Sequence, residues 1–162
     1  MRRDVNPAGD WTHAAALYAQ AAALHAGTGD MDECNALFNQ AECLRGDINP
    51  AGDWAKAFTL YGRVAELRRI GGDHQGEGAN LIWQASCLRP DLNPAGTWAK
   101  AAAIYARAVD QERIAGDRHL LAMAISWQAY CLQQDPACDR MKAVALFREA
   151  AKLDTKAPVE VQ

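Results

Sequence analysis

The chain lacks any uncharged apolar stretch approaching the ~20 residues that a membrane-spanning helix needs. Its first residues, Met1-Arg2-Arg3-Asp4-Val5-Asn6-Pro7, put two arginines ahead of no apolar run, so a secretory signal is not expected. Strong charge of one sign is missing as well. A net charge of −3 offers no basic field for nucleic acid or for an anionic lipid surface. The expected setting is cytoplasmic, with neither nucleic acid nor membrane as partner. Cysteine is sparse and odd in number. Cys34, Cys43, Cys87, Cys131 and Cys138 cannot all pair, which argues against a closed disulfide framework. The motifs of catalysis are also absent. No nucleophile motif, glycine-rich phosphate loop or zinc spacing occurs. His13, His25, His74 and His119 form no i,i+4 ligand pair with another His or Cys. Neither enzymatic activity nor a cofactor is expected, and the histidines read as solvated.

What is present is periodicity. Half of the 162 residues are hydrophobic and 23% are charged, enough for a real core under an ordinary soluble surface. Asn-Pro-Ala-Gly recurs at Asn6, Asn49 and Asn93, two residues after Asp4, Asp47 and Asp91. Trp11, Trp54 and Trp98 follow, then Tyr18, Tyr61 and Tyr105 seven residues later. Gly29-Asp30, Gly72-Asp73 and Gly116-Asp117 come next, and Gln-Ala-x-Cys-Leu starts at Gln40, Gln84 and Gln128. Three units, 4–46, 47–90 and 91–134, make one repeat domain. A partial fourth unit, 135–153, keeps Lys142-Ala143, has Phe147 at the Tyr position and Arg140 at the Trp position; a tail, 154–162, follows.

Each unit reads as two antiparallel helices. Asp10, Asp53 and Thr97 are residues whose side-chain oxygens cap a first helix. The pattern Trp54, Ala57, Phe58, Tyr61, Val64, Ala65 has helical spacing. Gly29, Gly72 and Gly116 stop that helix, because glycine tolerates the left-handed conformation past a C-terminus. Asp30, Asp73 and Asp117 cap a second helix, which runs to Leu44, Leu88 or Leu132 before Asn-Pro breaks it. A single pair cannot bury its apolar stripe, so stacking is required. The fold class expected is all-α: a right-handed α-solenoid of three helix pairs plus a C-terminal capping helix, about 140–153, with a solvating surface.

On Trp-x-x-Ala-x-x-x-Tyr, at Trp11/Ala14/Tyr18, Trp54/Ala57/Tyr61 and Trp98/Ala101/Tyr105, the chain resembles the tetratricopeptide repeat family. The Lys-Ala-x-x-x-Tyr stretch is also similar to the related Sel1-like repeats. The units, 43 or 44 residues long, exceed the ~34 of the family. The resemblance implies a right-handed stack whose first helices line a concave, partner-binding groove.

Several constellations have structural readings. Asp4, Asn6, Gly9 and Asp10 occupy calcium-loop positions, but Ala8 and Ala15 stand where ligands belong, so a turn and cap are expected. Equivalent positions in adjacent helix pairs lie roughly 10 Å apart. Cys43, Cys87 and Cys131 are therefore expected as small buried side chains, not as a disulfide or a metal site. Gln40, Gln84 and Gln128 suggest a structural, inter-repeat hydrogen-bond ladder. Trp11, Trp54 and Trp98 read as core, and Trp83 and Trp127 as buried.

The groove implied by the resemblance falls on small side chains: Thr12, Ala16 and Ala19; Ala55, Thr59 and Gly62; Ala99, Ala103 and Ala106. Small residues let a partner helix or loop approach closely. Lys56 with Arg63, and Lys100 with Arg107, form a candidate basic rim. Unit 4–46 is acidic, with six carboxylates against Arg45, which would steer a partner's orientation. The function expected is non-catalytic binding of a protein or peptide, as an adaptor, chaperone or immunity-type inhibitor. A small-molecule or peptide sensor using the same groove is the alternative. Oligomeric state is not legible.

Overall fold

The computed structural model describes residues 10–137 and 139–154, and within these the chain forms seven helices and no strand. They are α1 (Trp11–Leu24), α2 (Met31–Cys43), α3 (Trp54–Ile70), α4 (His74–Ser86), α5 (Trp98–Ala115), α6 (Arg118–Gln134) and α7 (Arg140–Asp154). The loop of the first unit at Asp4, Asn6 and Gly9, the residue Cys138 and the tail beyond Asp154 lie outside the described residues.

The helix starts follow the caps read from the sequence. Asp10, Asp53 and Thr97 each accept from the backbone N–H three residues on, and Asp30, Asp73 and Asp117 cap the second helices in the same way. Asp139 caps α7 through Lys142 N at 3.1 Å. Gly72 and Gly116, with φ of 73° and 78°, lie just past α3 and α5 as expected, but α1 already ends at Leu24, so Gly29, with φ of 64°, shapes the loop and does not stop the helix.

The Asn-Pro-Ala-Gly segment is a cap joined to a turn. Asn49 Nδ2 donates to Cys43 O at 2.9 Å, and Asn49 Oδ1 accepts from Ala51 N at 3.0 Å. Asn93 repeats both bonds, to Cys87 O at 2.8 Å and from Ala95 N at 3.1 Å. One side chain therefore closes the preceding helix and shapes the turn after it. A Cβ on Gly52 would lie 2.6 Å from Leu44 O, so glycine is required there for close approach. The fourth unit has no such Asn: α6 runs to Gln134, two residues past Leu132, until Pro136 drives Asp135 into extended backbone.

Each helix packs on its neighbours in the chain, and smaller contacts join α4 to α6, α2 to α4 through the rings of Phe38 and Trp83, and α5 to α7 through the ion pair of Arg113 with Glu149. The largest core cluster runs from Ala65 of α3 to Ala150 of α7 around Tyr105 and Ile125. A second holds Ala41, Ala57, Tyr61 and Cys87, and a third Cys34, Val64 and Leu67. Trp54 and Trp98 are half-buried flanks of these clusters rather than their centres, and Trp11 is also half-buried. The centres are the tyrosines, with Tyr61 and Tyr105 fully inside. No helix among the described residues is long and apolar enough to cross a membrane.

Candidate functional site

The outward faces of α1, α3 and α5 carry the small side chains singled out above. Thr12, Ala16, Ala55, Thr59, Ala99 and Ala103 are exposed, whereas Ala19, Gly62 and Ala106 are half-buried. Gly62 has a local role: Gln84 lies where its side chain would be, and Gln84 Nε2 donates to Phe58 O at 3.4 Å. That bond joins the two helices of one unit. The expected ladder between repeats is therefore corrected, because Gln84 spends its amide inside its own hairpin.

Two recesses meet on α3. One, of about 350 Å³, lies against α2 and is bordered by Gln40, Leu44, Lys56 and Leu60. The other, of about 720 Å³, lies toward the following loop, with Trp54, Phe58, Leu88 and Asn93 in its wall. Ala55 and Thr59 line both. The Thr59 hydroxyl donates to Ala55 O at 2.9 Å, so it can offer the recess its methyl group and a hydrogen-bond acceptor but no donor. The rim cations Lys56, Arg63, Lys100 and Arg107 are exposed. Lys56 Nζ stands 3.6 Å from Asp53, and Arg63 stands 3.8 Å from the buried carboxylate of Glu33 on α2.

A recurring arginine links successive units, a device not anticipated from the sequence. Arg45 Nε donates to Asp47 at 3.0 Å while its guanidinium lies 4.9 Å from the ring centroid of Trp83, in the next unit. Arg89 repeats this, with Asp91 at 3.1 Å and Trp127 at 4.0 Å. Gln133 holds the equivalent position where no further tryptophan follows. The expected burial of Trp83 is corrected: it is 36% exposed, because its ring covers Tyr61 at 6.3 Å and lies under Arg45 with one edge in solvent. Trp127 is half-buried.

Another recurring position takes a different residue in each unit. Seven residues after each tyrosine stand His25, Arg68 and Glu112. His25 is 3.6 Å from Asp30, and Arg68 is 2.9 Å from Asp73. Glu112 instead meets the like charges of Asp117 and Asp73, and its two oxygens are buried without a hydrogen-bond partner. Burial foremost, and then those two carboxylates, push its carboxyl up to about 7.

No family model, curated protein or solved structure matches the chain. The chemistry on display is therefore its own. Cys34, Cys43, Cys87 and Cys131 are buried, and burial pushes the Cys87 and Cys131 thiols up to about 12, which makes these two poor nucleophiles. His74 Nδ1 is 2.9 Å from Gln111, and His13 and His119 are exposed. Among the described residues no cluster of three His, Cys, Asp or Glu could hold a metal ion.

Proposed function

We propose that the chain is a non-catalytic module that binds a protein or peptide across the first helices of its units. In this reading the helix pairs stack as a right-handed α-solenoid of the tetratricopeptide type, and the bound segment lies over Thr12 and Ala16, Ala55 and Thr59, and Ala99 and Ala103. The observation that carries it is the meeting of two recesses at Ala55 and Thr59. Small side chains there leave room for another backbone, and Leu44, Leu60, Trp54, Phe58 and Leu88 give the walls beside them apolar surface among the polar Gln40 and Asn93. Lys56, Arg63, Lys100 and Arg107 form the rim, which suits an acidic segment. A cytoplasmic adaptor, chaperone or immunity-type inhibitor fits this chemistry.

Capture from a lysate of the native host tests it. The purified chain should retain a specific protein, and a chain carrying Ala55→Glu with Thr59→Arg, matched in circular dichroism, should lose it. Equal capture by both chains refutes the assignment of the surface. A second reading, a small-molecule sensor, draws on the size of the larger recess, which lies within the ~300–1,000 Å³ range of ligand sites. A metabolite that raises the melting temperature of the parent but not of the doubly substituted chain would favour it.

A further inference from the structure

The partial fourth unit was expected to end in a solvating cap, yet α7 leaves an apolar stripe open. Lys142-Ala143 aligns with Lys56-Ala57 and Lys100-Ala101, which sets the register position by position. Val144 corresponds to Phe58 and Ala102, Phe147 to Tyr61 and Tyr105, Arg148 to Gly62 and Ala106, and Ala151 to Ala65 and Val109. In the complete units these positions lie under the second helix. Tyr61 and Tyr105 are 0% exposed, whereas Phe147 is 38% and Val144 44% exposed. Residues 144, 147, 148 and 151 are spaced i, i+3, i+4 and i+7, a single helical stripe. A recess of about 320 Å³ opens beside it, between Gln133 of α6 and Arg140, Ala143, Val144 and Phe147 of α7.

The exposed charged side chains flanking Val144 on this stripe, Arg140 and Arg148, are both positive. Arg140 lies one turn before Val144, and Arg148 lies in its middle; both are exposed. The neighbouring carboxylate Glu149 is engaged by Arg113 of α5 at 2.8 Å. Arg148 stands where unit 47–90 has Gly62, the position over which Gln84 of the covering helix lies. On α7 that space is taken by the Arg148 side chain, so a helix covering α7 would have to turn its residue at the Gln84 register aside, along the arginine toward its guanidinium. A carboxylate there would form a charge-assisted, paired hydrogen bond.

We propose that the stripe Val144, Phe147, Arg148 and Ala151, with the recess beside it, docks an acidic amphipathic helix of a protein partner in the place that a second helix takes in the complete units. This surface is distinct from the first-helix groove and does not depend on it. The closest available mimic of such a helix is the chain's own α4. A fluorescent synthetic peptide of residues 73–86 is therefore the probe, made unchanged, with Gln84→Glu and with Gln84→Lys. Each is titrated with the full chain and followed by fluorescence anisotropy. The Gln84→Glu peptide is expected to bind at least about tenfold more tightly than the Gln84→Lys peptide. That gap should shrink at high salt. Val144→Ser with Phe147→Ser, both exposed and so tolerated by the fold, should abolish binding of all three peptides. Arg148→Glu should reverse the preference in favour of Gln84→Lys. Equal binding of the three peptides, no binding of any, or binding that survives the double serine variant would overturn the proposal. So would concentration-dependent self-association of the chain that the same serines abolish, since the occupant would then be a second copy.

Discussion

Replacing Glu112 by glutamine should make the protein more stable above neutral pH and leave it nearly unchanged in acid. The carboxyl is 0% exposed, and neither oxygen has a hydrogen-bond partner. Its protonation midpoint lies at about 7 in the folded chain, against an ordinary 4.5. The sign follows from linkage. Below 4.5 both folded and unfolded chains carry the proton, and the group is neutral in the balance. As pH rises from 4.5 to 7 the unfolded chain releases the proton first, so folding loses stability, and above about 7 the loss is complete. At ~1.4 kcal/mol per pH unit the full loss is about 3 kcal/mol. Glutamine has nearly the same shape and cannot ionise, so the variant escapes the loss. Urea denaturation of both chains, followed by tryptophan fluorescence from pH 4.5 to 8.5, measures the difference and cancels the titrating groups that are not coupled to Glu112, leaving its own ionisation and its repulsion with Asp117 and Asp73. The difference should grow from near zero at the acid end to about 3 kcal/mol, or roughly 6–12 °C in melting temperature for a chain of this size. A difference that stays flat with pH, or a variant weaker throughout, would refute the reasoning that the buried carboxyl ionises in place.

Arg89→Ala removes the guanidinium from the Trp127 ring and from Asp91, and should cost about 2 kcal/mol while shifting the tryptophan emission maximum. Arg89→Lys, which keeps the charge but not the flat stacking surface, should recover only part of that loss in the same titration. Gly52→Ala puts a methyl carbon 2.6 Å from the Leu44 carbonyl oxygen and should cost roughly 1–3 kcal/mol by thermal denaturation. In a Cys138→Ser chain at pH 8, Cys87 and Cys131 should resist alkylation until urea unfolds the protein; rapid labelling of the native chain would contradict their burial.

Local chemistry made most of the helix plan readable in advance. Caps such as Asp53 and Asp73 act within three residues, and the left-handed stops at Gly72 and Gly116 need no distant partner, so the repeat alone marks them. Where Asn49 and Asn93 cap the chain, α2 and α4 stop one and two residues short of the expected Leu44 and Leu88, and without that cap α6 runs two residues past Leu132. The pairing of Arg45 with Trp83 and of Arg89 with Trp127 escaped notice because each spans 38 residues between different units. A signal for it did exist: the arginine disappears, as Gln133, in the unit with no tryptophan after it. Gly62 looked like open groove on a helical wheel, which shows a face but not the Gln84 side chain that fills it. The solvating surface expected of α7 did not foresee that Phe147, at the tyrosine position, stays 38% exposed. Ala55 and Thr59, placed on one face by the helical wheel, do border recesses, whose volumes depend on side chains of α2 and of the following loop that the wheel does not show.

Most close helix contacts join consecutive segments of chain, with only lesser links between α2 and α4, α4 and α6, and α5 and α7 among the described residues. Such a molecule behaves more like a deck of cards than a ball. A disturbance at one edge must pass through every intervening layer to reach the other, so the terminal layers can loosen while the middle ones hold. Hydrogen exchange should accordingly be fastest in α1 and α7 and slowest in α4 and α5, a graded profile instead of a single all-or-none opening.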